Sequence, residues 1–222
     1  MSYIEDFGLE SPARAFILLT LFIKDICKKK AMDILHLQKV IRFFEFLKAK
    51  QDIDFSNYSL GGVSYEIQEN IDTLLDVGLI NRADHFYELT SEGEKAVMEL
   101  MKILNVDDIQ KMTYAKNKLN HLNSHELMFF MYVLLPETQK YSTEFAQLNK
   151  NRDKLIQSLF LKGAICTEEE FKMFGVRKEE LIETIAITQD KEFMQAIKEG
   201  CEDIKKGRVR QFPELLYKYR PD

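Results

Sequence analysis

The sequence predicts a mainly α-helical chain interrupted by one short β-hairpin, on three observations. Nine Gly and four Pro among 222 residues are few, so turns are few and the elements between them long. Apolar residues recur at helical spacing through most of the chain. Only the stretch from Leu79 to Thr90 breaks that period, with Leu79 and Ile80, a polar turn around Ala83-Asp84, then Phe86, Tyr87 and Leu89, which reads as a hairpin.

The elements follow in order. Pro12 after Ser11 opens a helix with Ile17, Leu18, Leu21, Phe22 and Ile26 on its apolar positions, expected to run to about Lys29. Asp33 caps a second helix whose stripe is Leu37, Val40, Ile41, Phe44 and Leu47, leaving Gln38, Lys39, Arg42 and Glu45 toward water. Gly61-Gly62 punctuates the loop that follows. Ser64 begins a third helix with Ile67, Ile71, Leu74 and Leu75, and Gly78 stops it because glycine takes the left-handed conformation without a Cβ clash. After the hairpin, Thr90 or Ser91 caps a helix, with Ser91 and Glu94 spaced as a capping box and Val97, Leu100, Met101 and Leu104 facing inward.

Beyond Leu104 the pattern stays helical. Helices are expected over about 107–120, over 125–135 capped by Ser124, and from Ser142 to Gly163 as one long element. Thr167 and Glu170 form a capping box before a short helix closed by Gly175, and another helix runs from about Arg177 to Ala186. The expected divisions are residues 1–104, a helical region over 105–187 and a C-terminal arm over 188–222.

Composition narrows the function classes. Apolar residues at 45% and charged residues at 30% are ordinary globular values. The three cysteines, Cys27, Cys166 and Cys201, have no CxxC spacing, which argues against a disulfide framework or zinc ribbon and for a reducing, cytoplasmic setting. The apolar runs Ala15 to Ile23 and Leu127 to Leu135 are about half of what a membrane-spanning helix requires. Glu5 and Asp6 ahead of the first run do not fit a secretory signal.

No phosphate loop, dinucleotide fingerprint or nucleophile elbow occurs, so no enzymatic activity and no cofactor are expected. His121 and His125 are four apart beside Glu126, but Asn123 and Ser124 between them mark a helix break, and no third ligand clusters with them. A metal is not expected. The clusters Glu168-Glu169-Glu170 and Glu179-Glu180 read as helix starts.

Three helices, a hairpin and a further helix are the order of a winged helix-turn-helix. The string IDTLLDVGLINRADHFYELTSEGEKAV resembles the recognition helix, wing and following helix of that family through Leu74, Leu75, Gly78, Leu79, Ile80, Leu89, Thr90 and Gly93. The fold class expected is therefore mainly α, a winged helix-turn-helix followed by an all-α region. A further resemblance covers about residues 35–140: LHLQKVIRFFEFL, YSLGGVSYEIQENIDTLLDVGLI and ELMFFMYVLLPE are similar to segments of YwgA-like and Panacea-like prokaryotic proteins. Leu60-Gly61-Gly62-Val63 stands where that family has Tyr-Gly-Pro.

Charge divides the chain unevenly. Residues 1–104 hold 12 Lys/Arg against 17 Asp/Glu and carry the whole net charge of −5, while 105–222 balance at 19 against 19. Between Gln51 and Asn81 there is no Lys or Arg but six carboxylates. A duplex would be repelled there, because phosphate neutralisation dominates affinity. DNA contacts would have to involve other groups, such as Lys28-Lys29-Lys30, Lys39, Arg42 and the wing's Arg82, with Gln68 and Asn70 as the polar readers on the third helix.

Residues 205–220 are the opposite, with six basic groups against Glu214 alone. The string DKEFMQAIKEGCEDIKKGRVRQFPELL resembles the C-terminal segments of RelB- and Phd-type antitoxins. Phe193, Ile197, Cys201 and Ile204 form one helical stripe, Gly207 ends it, and Arg208, Val209, Phe212, Leu215 and Leu216 continue as an extended apolar and basic set. The resemblance implies a regulatory protein that neutralises a toxin-like partner through Phe193, Ile197, Ile204, Arg208, Val209, Phe212, Leu215 and Leu216. The alternative is a DNA-binding transcriptional regulator, and whether a second copy of the chain binds stays open.

Overall fold

The computed structural model describes residues 3–25, 31–58 and 61–206, and it divides into two compact units, Met1–Phe174 and Gly175–Asp222. Among the described residues it is mainly helical, with a three-stranded antiparallel sheet and a separate two-stranded hairpin.

The first unit is built around one apolar helix. A short helix α1 (Tyr3–Asp6) precedes α2 (Pro12–Phe22), in which Ala13 and every residue from Ala15 to Leu21 are buried. A helix apolar all round must be enclosed, and α2 packs against four others: α3 (Ile34–Lys48), α4 (Tyr65–Asp76), α5 (Ser91–Leu100) and α6 (Val106–Leu119). Phe16 and Phe44 meet edge-to-face at 4.9 Å between centroids, and Phe43, Phe130 and Phe174 continue the aromatic core at 5.7 Å spacings. Burying each such ring stabilises the unit by roughly 1.5–3 kcal/mol.

α2 ends at Phe22, short of the expected Lys29. Ile23 is extended (φ −62°, ψ 127°), and buried Asp25 accepts a hydrogen bond from Asn120 Nδ2 at 2.7 Å, holding the chain off the helix axis. Ile26, Cys27 and Lys28–Lys30 lie outside the described residues. Strand β1 (Met32–Asp33) follows, and Asp33 caps α3 by accepting from the His36 backbone N–H at 2.9 Å.

The segment around Gly61-Gly62 is no plain loop. Strands β2 (Ser56–Tyr58) and β3 (Gly61–Val63) pair antiparallel, with Asn57 opposite Gly62. Ser64 caps α4 as expected. At its end Gly78 (φ 72°) donates to the Leu75 carbonyl and Leu79 to that of Leu74, the paired bonds of a Schellman motif. Strands β4 (Ile80–Ala83) and β5 (Phe86–Leu89) then form the expected hairpin, and β1 pairs with β5 to give the order β1-β5-β4.

Several caps and ends sit one position or more from where the sequence placed them. Thr90, not Ser91, caps α5, because its Oγ1 accepts from Gly93 N–H at 3.0 Å. Met101 is 37% exposed and not on the inner face of α5, since the helix ends at Leu100. Asn123, not Ser124, caps α7 (Ser124–Leu134), forming a reciprocal capping box with Glu126. After a 3-10 turn over Pro136–Tyr141, the single helix expected to Gly163 is two, α8 (Thr143–Asn149) and α9 (Arg152–Leu161). The break falls at Asn151, whose φ of −108° and ψ of 21° leave the helix. Thr167 and Glu170 make the expected capping box at α10 (Glu168–Phe174).

The second unit holds α11 (Lys178–Gln189) and α12 (Lys191–Lys205), which pack on each other. α11 runs three residues past the expected Ala186, and Asp190 separates the two helices with an extended ψ of 101°. No helix among the described residues is long and apolar enough to cross a membrane.

Candidate functional site

Three places carry the residues singled out by the sequence: the polar side of α3, the exposed side of α4 with its neighbouring hairpin, and α12. On α3 the expectation of a solvated face is overturned. Gln38, Lys39 and Glu45 are 6%, 2% and 3% exposed, and Arg42 is half-buried. Strand β3 and α7 pack against the helix, and the 3-10 turn packs on the β2–β3 hairpin and α7. Lys39 Nζ donates to the Gly62 carbonyl oxygen at 2.8 Å, and Gln38 donates to that of Ser64 at 3.3 Å.

Glu45 anchors the loop after α3. Its Oε2 accepts from the Asp52 and Ile53 backbone N–H groups at 2.6 and 3.2 Å. The Arg42 guanidinium lies 4.8 Å from the Phe55 ring centroid and 4.0 Å from Glu137. Burial and the Arg42 charge push the Lys39 ammonium down to about 8. Burial lowers Arg42 as well and raises the Glu45 carboxyl, against the two backbone donors.

This arrangement corrects one proposed DNA contact outright. Lys39 is a buried structural lysine and presents no surface charge. Arg42 is held against Phe55 and Glu137, while the exposed Arg82 has its guanidinium 5.7 Å from the Tyr87 ring centroid. Gln68 is half-buried. Asn70 accepts from Arg14 Nε at 2.8 Å and donates to the Glu66 carbonyl oxygen, so its amide is already engaged at both ends. The exposed side of α4 instead presents Glu69, Asp72 and Asp76, with Tyr65 60% exposed at its start.

No family model matches this chain, and no curated protein matches it. Its functional reading therefore rests on its own residues.

The described side chains of α12 are all exposed except Met194, which is half-buried, and Ile197 is 43% exposed. Phe193 and Ile204 lie on the same helix. Arg208, Val209, Phe212, Leu215 and Leu216 lie outside the described residues. In the same unit α11 exposes Ile182 and Ile187, at 47% and 46%.

His121 lies in the turn between α6 and α7 and His125 in the first turn of α7, so the two do not share a helix face. The His121 ring contacts the carbonyl oxygens of Asn117 and Lys162 at 3.0 and 2.9 Å. Among the described residues no three His, Cys, Asp or Glu side chains group as they would around a metal ion. The sequence reading missed the buried polar row on α3. Its neighbourhood in the sequence carried no signal: even at Gly62 an added Cβ would meet only ordinary contacts, 3.8 Å from Phe55 and 3.9 Å from Arg42.

Proposed function

We propose that the chain is a non-catalytic regulatory binding protein, antitoxin-like, that captures a toxin-like protein through the arm beginning at α12. The observation that carries this reading is the surface of α12: a helix with its apolar residues at i, i+4, i+8 and i+11 that nevertheless leaves Ile197 43% exposed. Such a stripe is suited to an amphipathic helix seated in a partner's groove. The basic groups that follow, from Lys205 to Arg220, would set the orientation of an acidic partner surface.

The body is read as a winged helix. Its support is the order α2, β1, α3, α4, β4, β5, with the β2–β3 hairpin inserted between α3 and α4, together with the pairing of β1 with β5. That order also favours a second reading, a DNA-binding regulator. The exposed carboxylates of α4 weigh against it, because they stand where a recognition helix would meet phosphates.

The test is capture from the source organism with the tagged full chain and two variants. One variant carries Ile197→Glu, and the other Lys205, Lys206, Arg208 and Arg210 each changed to Glu. A stoichiometric protein partner retained by the parent and lost by both variants is expected, with melting temperatures within a few degrees of the parent because exposed charges contribute little to stability. Retention of the partner by both variants would sink the arm reading.

A further inference from the structure

The His36 ring, in the first turn of α3, lies between two acceptors. Its Nδ1 is 2.7 Å from Asp33 Oδ2 and its Nε2 is 2.8 Å from the Leu122 carbonyl oxygen, in the turn joining α6 to α7. A carbonyl has no proton to give. The other Asp33 oxygen accepts from the His36 backbone N–H. Burial pushes the Asp33 carboxyl up, but hydrogen bonds from the His36 ring and backbone outweigh it and hold the group below its ordinary value. Both contacts therefore need a ring that donates from both nitrogens, which only the imidazolium does. The side chain is 12% exposed, so water is poorly placed to replace a lost partner.

We propose that His36 is a proton-operated clasp: as imidazolium it ties α3 and β1 to the α6–α7 turn, and on losing a proton it lets the Leu122 contact go and loosens that turn. The Leu122 contact is the one released. A neutral ring keeps its single N–H toward the Asp33 carboxylate, since a lone pair facing a full negative charge is repelled more strongly than one facing a carbonyl dipole.

The charged surroundings favour the closed form. Asp25, from the segment after α2, and His121 and Lys162 border the same 420 Å³ groove as His36, with the Phe86 ring of β5 on its wall. Lys162 is paired with Glu126 of α7 at 2.6 Å, so that ion pair cancels itself, and Asp33, in contact with the ring, is the carboxylate that favours its charged form. Burial pushes the His36 ring down, yet the hydrogen bonds to Asp33 and Leu122 outweigh burial and raise it above its ordinary 6.5. A raised histidine stabilises the fold fully below 6.5, and the stabilisation is lost as pH rises through the folded-state value. The clasp opens on the alkaline side.

Ring nitrogen–proton correlations of the full chain, followed from about pH 5 to 9 and assigned with His36→Gln, test this directly. Both His36 nitrogens should be protonated at pH 6.5, with a midpoint above that value. The backbone amides of Leu122 and Asn123 should shift with the same midpoint. Titration at or below 6.5, or titration that leaves those amides unmoved, would overturn the clasp. If His36→Gln does not fold, Asp33→Asn keeps a helix cap while removing the carboxylate. It should bring the midpoint down toward 6.5, and an unchanged midpoint overturns the proposal equally.

Discussion

Lys39 of α3 donates to the Gly62 carbonyl oxygen at 2.8 Å, so a helix lysine pins the backbone of the β2–β3 hairpin from beneath. The bond is buried, and both partners lose water to make it. Removing a buried donor leaves its acceptor unpaired at a cost of about 1–3 kcal/mol, and truncating the stem adds a cavity. Lys39→Ala should therefore lower stability by about 2–4 kcal/mol, measured by urea unfolding. Lys39→Met keeps the stem and sheds a buried charge, so it should cost less than half as much. Equal losses in the two variants would show that packing under the hairpin is unimportant.

The same lysine has a pH signature. Its ammonium is pushed down to about 8, against an ordinary value of 10.5, so between those values the unfolded chain holds a proton that the folded chain has lost. Stability then rises with pH in that window, by up to about 1.4 kcal/mol per pH unit. The difference in unfolding free energy between the parent and Lys39→Met should grow in the parent's favour from about pH 8 to 10.5. A difference independent of pH there would contradict a depressed Lys39.

Two glycines flank the β4–β5 hairpin and should respond differently. A Cβ on Gly93 would stand 2.0 Å from the Leu79 carbonyl oxygen, which is backbone and cannot rotate away, whereas Gly78 has open space but a φ of 72°. Gly78→Ala should cost about 1–2 kcal/mol, the left-handed penalty alone. Gly93→Ala should cost about 2–4 kcal/mol, because α5 must shift from the Leu79 backbone to relieve the overlap. Denaturant titration of both variants checks the order, and a milder effect at Gly93 would refute the close approach.

Duplex DNA should bind weakly and without sequence preference near physiological salt. The exposed side of α4 carries Glu69, Asp72 and Asp76, and nothing between Gln51 and Asn81 supplies a cation to displace counterions. Fluorescence anisotropy with a random duplex library measures this. Sub-micromolar, sequence-selective binding that is lost on changing Gln68 or Asn70 would restore the regulator reading.

The local sequence was enough wherever a few neighbouring residues determine the outcome. Ser64 and Asp33 cap their helices, Gly78 ends α4, Thr167 and Glu170 close their box, and Leu79 to Leu89 turns back on itself. Each depends on backbone preferences and hydrogen bonds that span at most a few positions. The motif Leu89-Thr90-x-x-Gly93 was also legible, although the reason for its glycine, the Leu79 carbonyl, lies fourteen residues away.

Tertiary structure alone decided which polar residues face water. Gln38, Lys39 and Glu45 read as a solvated stripe because charged side chains opposite an apolar face ordinarily stay outside. They are buried because β3 and α7 pack against α3, with the Gly62 carbonyl of β3 receiving Lys39, the Ser64 carbonyl receiving Gln38, and the loop after α3 folding back to give Glu45 the N–H groups of Asp52 and Ile53. Likewise β1 is only two residues long, and nothing in Met32–Asp33 marks a strand until β5 is beside it to receive its hydrogen bonds. Propensity and capping are local free energies and can be read along the chain. Whether a charge is buried depends on partners brought from elsewhere in the chain, and a stripe pattern on α3 does not encode their arrival.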